Sequence, residues 1–301
     1  MNQEAEAPVM KQQSILIRTV QQQLHFSFSS FFCRLMGMEK FLHKKSLGQN
    51  FLNSDYVPKK MSDAANLKKG DVVLEIGPGV GALTKELLKR EVAVIAIEAD
   101  ARAITSLQET FSEEIKSGQL TLHHADARKL DLVSYGLKAG EYKVVANIPY
   151  YLSGLLLRNL LDTETQPKTL VFLIQKELAE RIAREKKESL LSLSVKVFGE
   201  PTYICTVKRG HFTPPPKVDS AILAVHNISK DSFKDFSSES FFEILHLGFG
   251  QKRKQLAHNL GKAYGKEKVV SGLTGLNLPP TTRAEDMSVE EWLTFAEFLL
   301  K

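Results

Sequence analysis

From Asp71 onward, short runs rich in β-branched residues alternate with segments of helical period. Val72–Ile76, Val92–Ile97, Leu120–His123, Lys143–Asn147 and Leu170–Ile174 predict five strands, each apolar on successive positions as in strands buried on both faces. Ala82–Lys89, Ala101–Phe111 and Gly154–Leu161 predict helices between them. Strand, helix, strand in repetition is the pattern of a parallel sheet covered by helices, an α/β fold. After helices from Gln175 and over Leu190–Phe198, Tyr203–Val207 and Ser220–Val225 flank the proline cluster Thr213-Pro214-Pro215-Pro216. They are expected to close the sheet as a hairpin, giving a mostly parallel sheet of seven strands.

Periodicity lapses around Asn227 to Ser238, and beyond this linker it is helical only. Helices are expected at Ser240–Leu247, Lys252–Leu260 and Lys266–Leu273, with a last one opened by the capping-box spacing Ser288-Val289-Glu290-Glu291. Residues 38–228 therefore read as the sheet domain and 229–301 as a small helical domain. Residues 1–37, rich in Gln and Ser, read as a poorly ordered N-terminal extension, and their Phe-rich stretch Leu24–Arg34 is too interrupted for a secretory apolar region. No window approaches 18 consecutive apolar residues, so no membrane span is expected and the cytoplasm is the expected location.

With 301 residues and 43% hydrophobic positions, the chain has the size and composition of one large domain plus a small one, which excludes disorder and disulfide-stapled miniatures. Cys33 and Cys205 stand apart with no Cys/His cluster around them, so neither a disulfide framework nor a metal site is expected. The net charge of +5 decides little, since many enzymes share it. Its distribution says more: residues 40–69 and 250–268 each carry an excess of +5. Lys44, Lys45, Lys217, Lys252, Arg253 and Lys254 are candidate contacts to a phosphate backbone, although such runs also serve simply as solvated faces.

Glu75-Ile76-Gly77-Pro78-Gly79-Val80-Gly81 lies directly between the first of these strands and the first helix. Missing side chains and free backbone amides there let a ligand come close. The spacing is G-x-G-x-G rather than the G-x-G-x-x-G that seats a pyrophosphate, which favours a nucleoside without phosphates over a nicotinamide dinucleotide. Glu98 ends the second strand, where a carboxylate can accept both ribose hydroxyls, and Asp126 ends the third, in reach of an adenine amine. Singly, these residues also read as turn glycines and strand-end caps; their joint spacing carries the inference.

Asn147-Ile148-Pro149-Tyr150 ends the fourth strand, at the edge of the crevice where open α/β sheets bind ligands. An amine on an aromatic base is a poor nucleophile because its lone pair is delocalised, and acceptors for its two hydrogens help it. The Asn147 side-chain oxygen and the Ile148 carbonyl can supply both, Pro149 fixes the turn and removes a competing donor, and Tyr150 can stack on the base. Holding such an amine in line with a methyl donor can contribute roughly 7 to 11 kcal/mol. Alone, the tetrapeptide also reads as an ordinary Asn-x-Pro turn.

These segments, with Lys45-Ser46-Leu47-Gly48-Gln49-Asn50-Phe51-Leu52, Gln175–Arg181 and Phe212–Ser220, resemble the S-adenosylmethionine-dependent ribosomal RNA adenine dimethyltransferases of the KsgA type and their antibiotic-resistance relatives. The resemblance runs from about Lys45 to the C-terminus. It implies a Rossmann-like class I methyltransferase fold with S-adenosylmethionine as cofactor. It implies as substrate two adjacent adenines in the last hairpin loop of small-subunit ribosomal RNA within an immature subunit, each receiving two methyls. A loop suits this chemistry, because a paired adenine must first be flipped out. By the same resemblance Asn50 and the backbone of Leu52 close over the cofactor, joined by Gly77, Gly79, Glu98, Asp126 and Asn147. Phe212 becomes a second aromatic wall, with the target adenine between it and Tyr150. Arg128, after Asp126-Ala127, departs from the leucine expected there. A monomer is expected. The alternatives are a large-subunit adenine methyltransferase of the resistance type and a non-catalytic assembly factor; Pro214–Ser220 and Lys252-Arg253-Lys254 favour the small-subunit reading.

Overall fold

The computed structural model describes residues 50–233 and 235–301. The described chain begins with β1 (Phe51–Leu52) and α1 (Tyr56–Ala64), two elements not placed from the sequence. The five expected runs then form β2 (Val72–Ile76), β3 (Ala93–Glu98), β4 (Leu120–His124), β5 (Tyr142–Asn147) and β6 (Thr169–Gln175), paired in parallel. β7 (Glu200–Val207) and β9 (Ser220–His226) add the antiparallel hairpin, with β9 lying against β6, so the order is β4-β3-β2-β5-β6-β9-β7. Between them the two-residue β8 (Phe212–Thr213) leaves the sheet to pair with β1.

The strand side chains separate by parity, and both sets are buried, which is why the sequence reads as solid apolar runs. Val73, Val94, Val145, Val171, Leu173 and Ile222 face one layer with Val57 and Met61 of α1, Leu83 and Leu87 of α2 (Ala82–Lys89) and Leu107 of α3 (Ala101–Thr110). Leu74, Ile76, Val144, Phe172, Ile174 and Leu223 face the other, against Leu156 and Leu160 of α5 (Ser153–Leu161), Ile182 of α6 (Lys176–Ala183) and Leu193 of α7 (Leu190–Lys196). The short α4 (Ser112–Lys116) buries none of its residues.

The second layer does not stop at residue 228. Its cluster continues through Phe241 and Leu245 of α8 (Ser238–Gly248), Leu256 and Leu260 of α9 (Leu256–Tyr264), Leu273 of α10 (Lys266–Gly275), and Trp292 and Phe295 of α11 (Val289–Leu300). The buried Trp292 indole N–H donates to the Ala284 carbonyl at 3.1 Å, and Ser288 and Glu291 form the capping box that opens α11. One helix starts later than its pattern predicts: α9 begins at Leu256, because Gln255 is extended (ψ 153°) and ends the preceding turn. Lys252, Arg253 and Lys254 thus lie on the turn between α8 and α9, not in a helix. Residues 1–37, Lys44, Lys45 and the segment to Gln49 lie outside the described residues.

Candidate active site

A cleft of about 340 Å³ opens at the carboxyl ends of β2, β3 and β5. Asn50, Leu52, Gly77, Gly79, Glu98, Asp126, Asn147, Ile148, Pro149, Tyr150 and Phe212 all line it. Lys217, Lys252, Arg253 and Lys254 do not; they lie exposed elsewhere on the surface.

The glycine loop turns because all three of its glycines, Gly77 at φ 70° included, take left-handed conformations that side chains resist. Gly81 caps α2 at φ 83°, and a Cβ on it would stand 2.5 Å from the Phe111 ring. Gly79, at φ 57°, would set a Cβ 2.9 Å from Phe51 Cε1. Glu98 clamps this loop: the Gly79 N–H donates to Oε2 at 3.0 Å and the Asp100 N–H to Oε1 at 2.9 Å. Burial pushes its carboxyl up, against the opposing pull of those amides. The Ala99 amide pulls on it as well, and a carboxylate with three such donors still has acceptor capacity for a ligand.

The Asn147 side chain is oriented by one hydrogen bond, in which Nδ2 donates to the Asn50 carbonyl at 3.3 Å. That fixes Oδ1 as its acceptor end. Pro149, at φ −56° and ψ 133°, turns the chain into the short coil that carries Tyr150. The half-buried Tyr150 hydroxyl pairs at 2.7 Å with Oγ of the buried Ser220, and burial raises its pKa. Phe212, buried at the same cleft, belongs to β8.

β1 straps the cleft by pairing with β8, with Phe51 opposite Thr213 and Leu52 opposite Phe212. Asn53 staples the strap: its N–H donates to the His211 carbonyl at 3.0 Å and its side chain to Gly210 O at 3.0 Å. Ser54 Oγ and His211 Nδ1 add a contact at 3.0 Å.

Asp126 lies two residues beyond β4 and caps a short turn, accepting the Arg128 N–H at 2.9 Å. The Arg128 side chain adds Nε at 3.0 and 2.9 Å to the two carboxylate oxygens and Nη2 to Oδ2. The guanidinium holds this carboxyl down to about 2. Arg128 also lines the cleft, so the departure noticed in the sequence acts directly on the residue expected to meet an adenine amine.

Glu75 sits in the cleft floor, 1% exposed, with both oxygens unpartnered. The Thr84 hydroxyl stands near without closing a hydrogen bond, and burial together with the nearby Glu98 pushes the Glu75 carboxyl up to about 8. Three contributors escaped the sequence reading: Ser220, Asn53 and the floor role of Glu75. Only Glu75 had a local signal, as an acid on an otherwise apolar strand. Ser220 and Asn53 act across 70 and 160 positions, which no local pattern reveals. Among the described residues no group of three His, Cys, Asp or Glu side chains could hold a metal ion, and no helix is long and apolar enough to cross a membrane.

Sheet order, a glycine loop after β2 and a ligand cleft at the strand ends define a Rossmann-like methyltransferase. The chain belongs to the ribosomal RNA adenine dimethylase family, whose model matches residues 40–301. Among curated relatives, ribosomal RNA small subunit methyltransferase A of Dehalococcoides mccartyi is 40% identical over 252 residues, covering 83% of this chain and 86% of its own. A crystal structure of a dimethyladenosine transferase from Plasmodium falciparum is 28% identical, with a TM-score of 0.68 over 81% of this chain and 95% of that one. The 23S rRNA methyltransferase ErmE shares the fold, with 24% identity and a TM-score of 0.65 over 84% of this chain and 100% of that one.

Proposed function

We propose that this protein transfers methyl groups from S-adenosylmethionine to the exocyclic amines of two adjacent adenines in the terminal hairpin loop of small-subunit ribosomal RNA, giving N6,N6-dimethyladenosines during subunit maturation. The observation that carries the reading is the oriented Asn147 amide: with one Nδ2 hydrogen donated to Asn50, Oδ1 is left to accept an amine hydrogen beside the Ile148 carbonyl. The name of the Dehalococcoides mccartyi relative supports the small subunit as the source of the RNA.

The cleft fits the cofactor. Its volume of about 340 Å³ falls in the range of small-molecule sites, and its floor carries an orphaned buried carboxyl. When bound, S-adenosylmethionine supplies an electrophilic methyl on a sulfonium sulfur. Gly77 and Gly79 let it lie against the backbone, the remaining acceptor capacity of Glu98 serves the ribose hydroxyls, Asp126 accepts the adenine amine, and Asn50 and Leu52 cover it from the strap. Tyr150 and Phe212 flank the target base, and Asn147 Oδ1 with the Ile148 carbonyl hold its amine. Neither acceptor is a base, so the amine nitrogen loses its proton to solvent once methylation has made it positive. After one transfer the remaining N–H still has an acceptor, which suits a second.

Residues 38–228 are the catalytic part and 229–301 the RNA-binding part in this reading, with Lys44, Lys45, Lys217, Lys252, Arg253 and Lys254 as phosphate contacts. The protein works as a cytoplasmic monomer on an immature subunit. The test is methyl transfer from labelled S-adenosylmethionine to unmethylated small subunits, naked small-subunit RNA and naked large-subunit RNA, followed by nucleoside mass analysis. Dimethyladenosine mainly on small subunits is expected. Product only on large-subunit RNA, or tight subunit binding without product, overturns the reading. Asn147→Ala should remove most transfer and leave subunit binding intact in a filter-retention assay.

A further inference from the structure

The chain on either side of Phe212 forms a second concavity, of about 480 Å³, lined by Lys208, Arg209, Lys217 and Asp219. Asp219 organises it. Its carboxylate accepts Lys208 Nζ at 3.0 Å and the Arg209 N–H at 3.1 Å, and these partners, Lys208 first, hold its carboxyl below the usual range. The Asp219 carbonyl accepts the Lys176 N–H at 3.0 Å, which anchors the niche to the start of α6. Three cationic side chains thus share the concavity with one carboxylate, and only Lys208 is paired with it. Neither the Arg209 guanidinium nor the Lys217 ammonium has an ion-pair partner among the described residues, and both are exposed.

The chemistry that satisfies this surplus is a dianionic or monoanionic oxyanion with several acceptor oxygens. A guanidinium fork matches two phosphate oxygens at once, and an ammonium adds a mobile point charge. Position narrows the choice. The connection from Lys208 to Ser220 carries Phe212, which walls the cleft, and ends at Ser220, which holds the Tyr150 hydroxyl. Arg209 stands three residues before Phe212 and Asp219 directly before Ser220, so the strand of a base drawn into the cleft meets positive charge on the segment that walls it. We propose that Arg209, Lys217 and Lys208, set by Asp219, form a docking niche for one backbone phosphate next to the target adenosine. Seating that phosphate holds the substrate against the same chain segment that presents Phe212, which adds binding without altering the transfer step. The inference deepens the adenine-methylation reading and rests on it.

The test pairs the double variant Arg209→Ala/Lys217→Ala with single neutral methylphosphonates placed at each linkage flanking the target adenosines. The modified hairpin is made chemically, ligated to small-subunit RNA and assembled into subunits. The variant should bind S-adenosylhomocysteine as the wild type does, raise KM for subunits with little change in kcat, and flatten the slope of log affinity against log salt by about 1 to 2. One methylphosphonate should weaken wild-type binding and have no further effect on the variant. An unchanged salt slope and KM in the variant, or additive effects of variant and methylphosphonate at every linkage, overturns the niche. Absence of transfer by the wild type on unmodified subunits is a separate result, which overturns the adenine reading and the niche with it.

Discussion

Arg128 shows how one side chain can set the affinity of a site without altering its plan. Its side-chain Nε and Nη2, with its backbone N–H, fill both oxygens of Asp126, so in the role proposed for Asp126 an adenine amine has to displace one of them. The pair is solvent-exposed, and exposed ion pairs are weak enough to be displaced. Arg128→Leu should therefore tighten S-adenosylhomocysteine binding by about two- to fivefold in calorimetry; weaker binding would mean that the guanidinium touches the ligand rather than competing with it. Glu75 makes a pH prediction. Its folded pKa of about 8 lies above the ordinary 4.5, so the folded state takes up its proton more readily than the unfolded chain. The stability this provides is full below about pH 4.5 and is lost as pH rises through 8, with Thr84 and Glu98 as the groups facing the carboxyl. The urea midpoint of Glu75→Gln should fall less between pH 5 and pH 9 than that of the wild type. At this scale the sequence revealed a residue that breaks a local pattern, Glu75, and through the family resemblance one that departs from it, Arg128, and hid those whose partner is distant, such as Ser220.

Elements meet at one close contact, where the glycine loop touches the β1 strap. Gly79 needs a left-handed backbone, and a methyl there would press on the Phe51 ring. Gly79→Ala should cost about 1 to 3 kcal/mol of stability in urea unfolding and loosen the strap, measured as faster amide exchange at Asn53. The strap itself was not legible: two residues pairing with two others about 160 positions away leave no periodic trace. α1 did leave one, since Val57, Met61 and Ala65 recur at helical spacing and are all buried, but the segment is short and sits among lysines. The long strands were legible because both faces of the sheet are covered, which forces uninterrupted apolar runs. The late start of α9 escaped because nothing in Lys252–Leu260 shows that Gln255 is extended.

Across the whole molecule, the cations of the α8–α9 turn sit on a support tied to the sheet. Asn259 Nδ2 donates to Gly248 O at 2.5 Å and to Gln251 O at 3.2 Å, bracketing the turn from α9, while α8 and α9 bury Leu245 and Leu256 in the cluster that includes Phe172 of β6. Replacing Lys252, Arg253 and Lys254 with Ala should flatten the salt dependence of subunit binding by about 2 to 3 in log–log slope and leave cofactor affinity unchanged. Under the roles proposed for Asn147 and the basic turn, a common core for sheet and tail has a geometric outcome: the chain works as a ruler. The span from the basic turn to Asn147 is set by packed side chains instead of a tether, so an RNA is accepted when its own architecture separates an unpaired adenine from a distant backbone by that same span. Selection then operates on the shape of a folded particle, and a loose strand with the right bases but no fixed distances would touch one end of the ruler at a time.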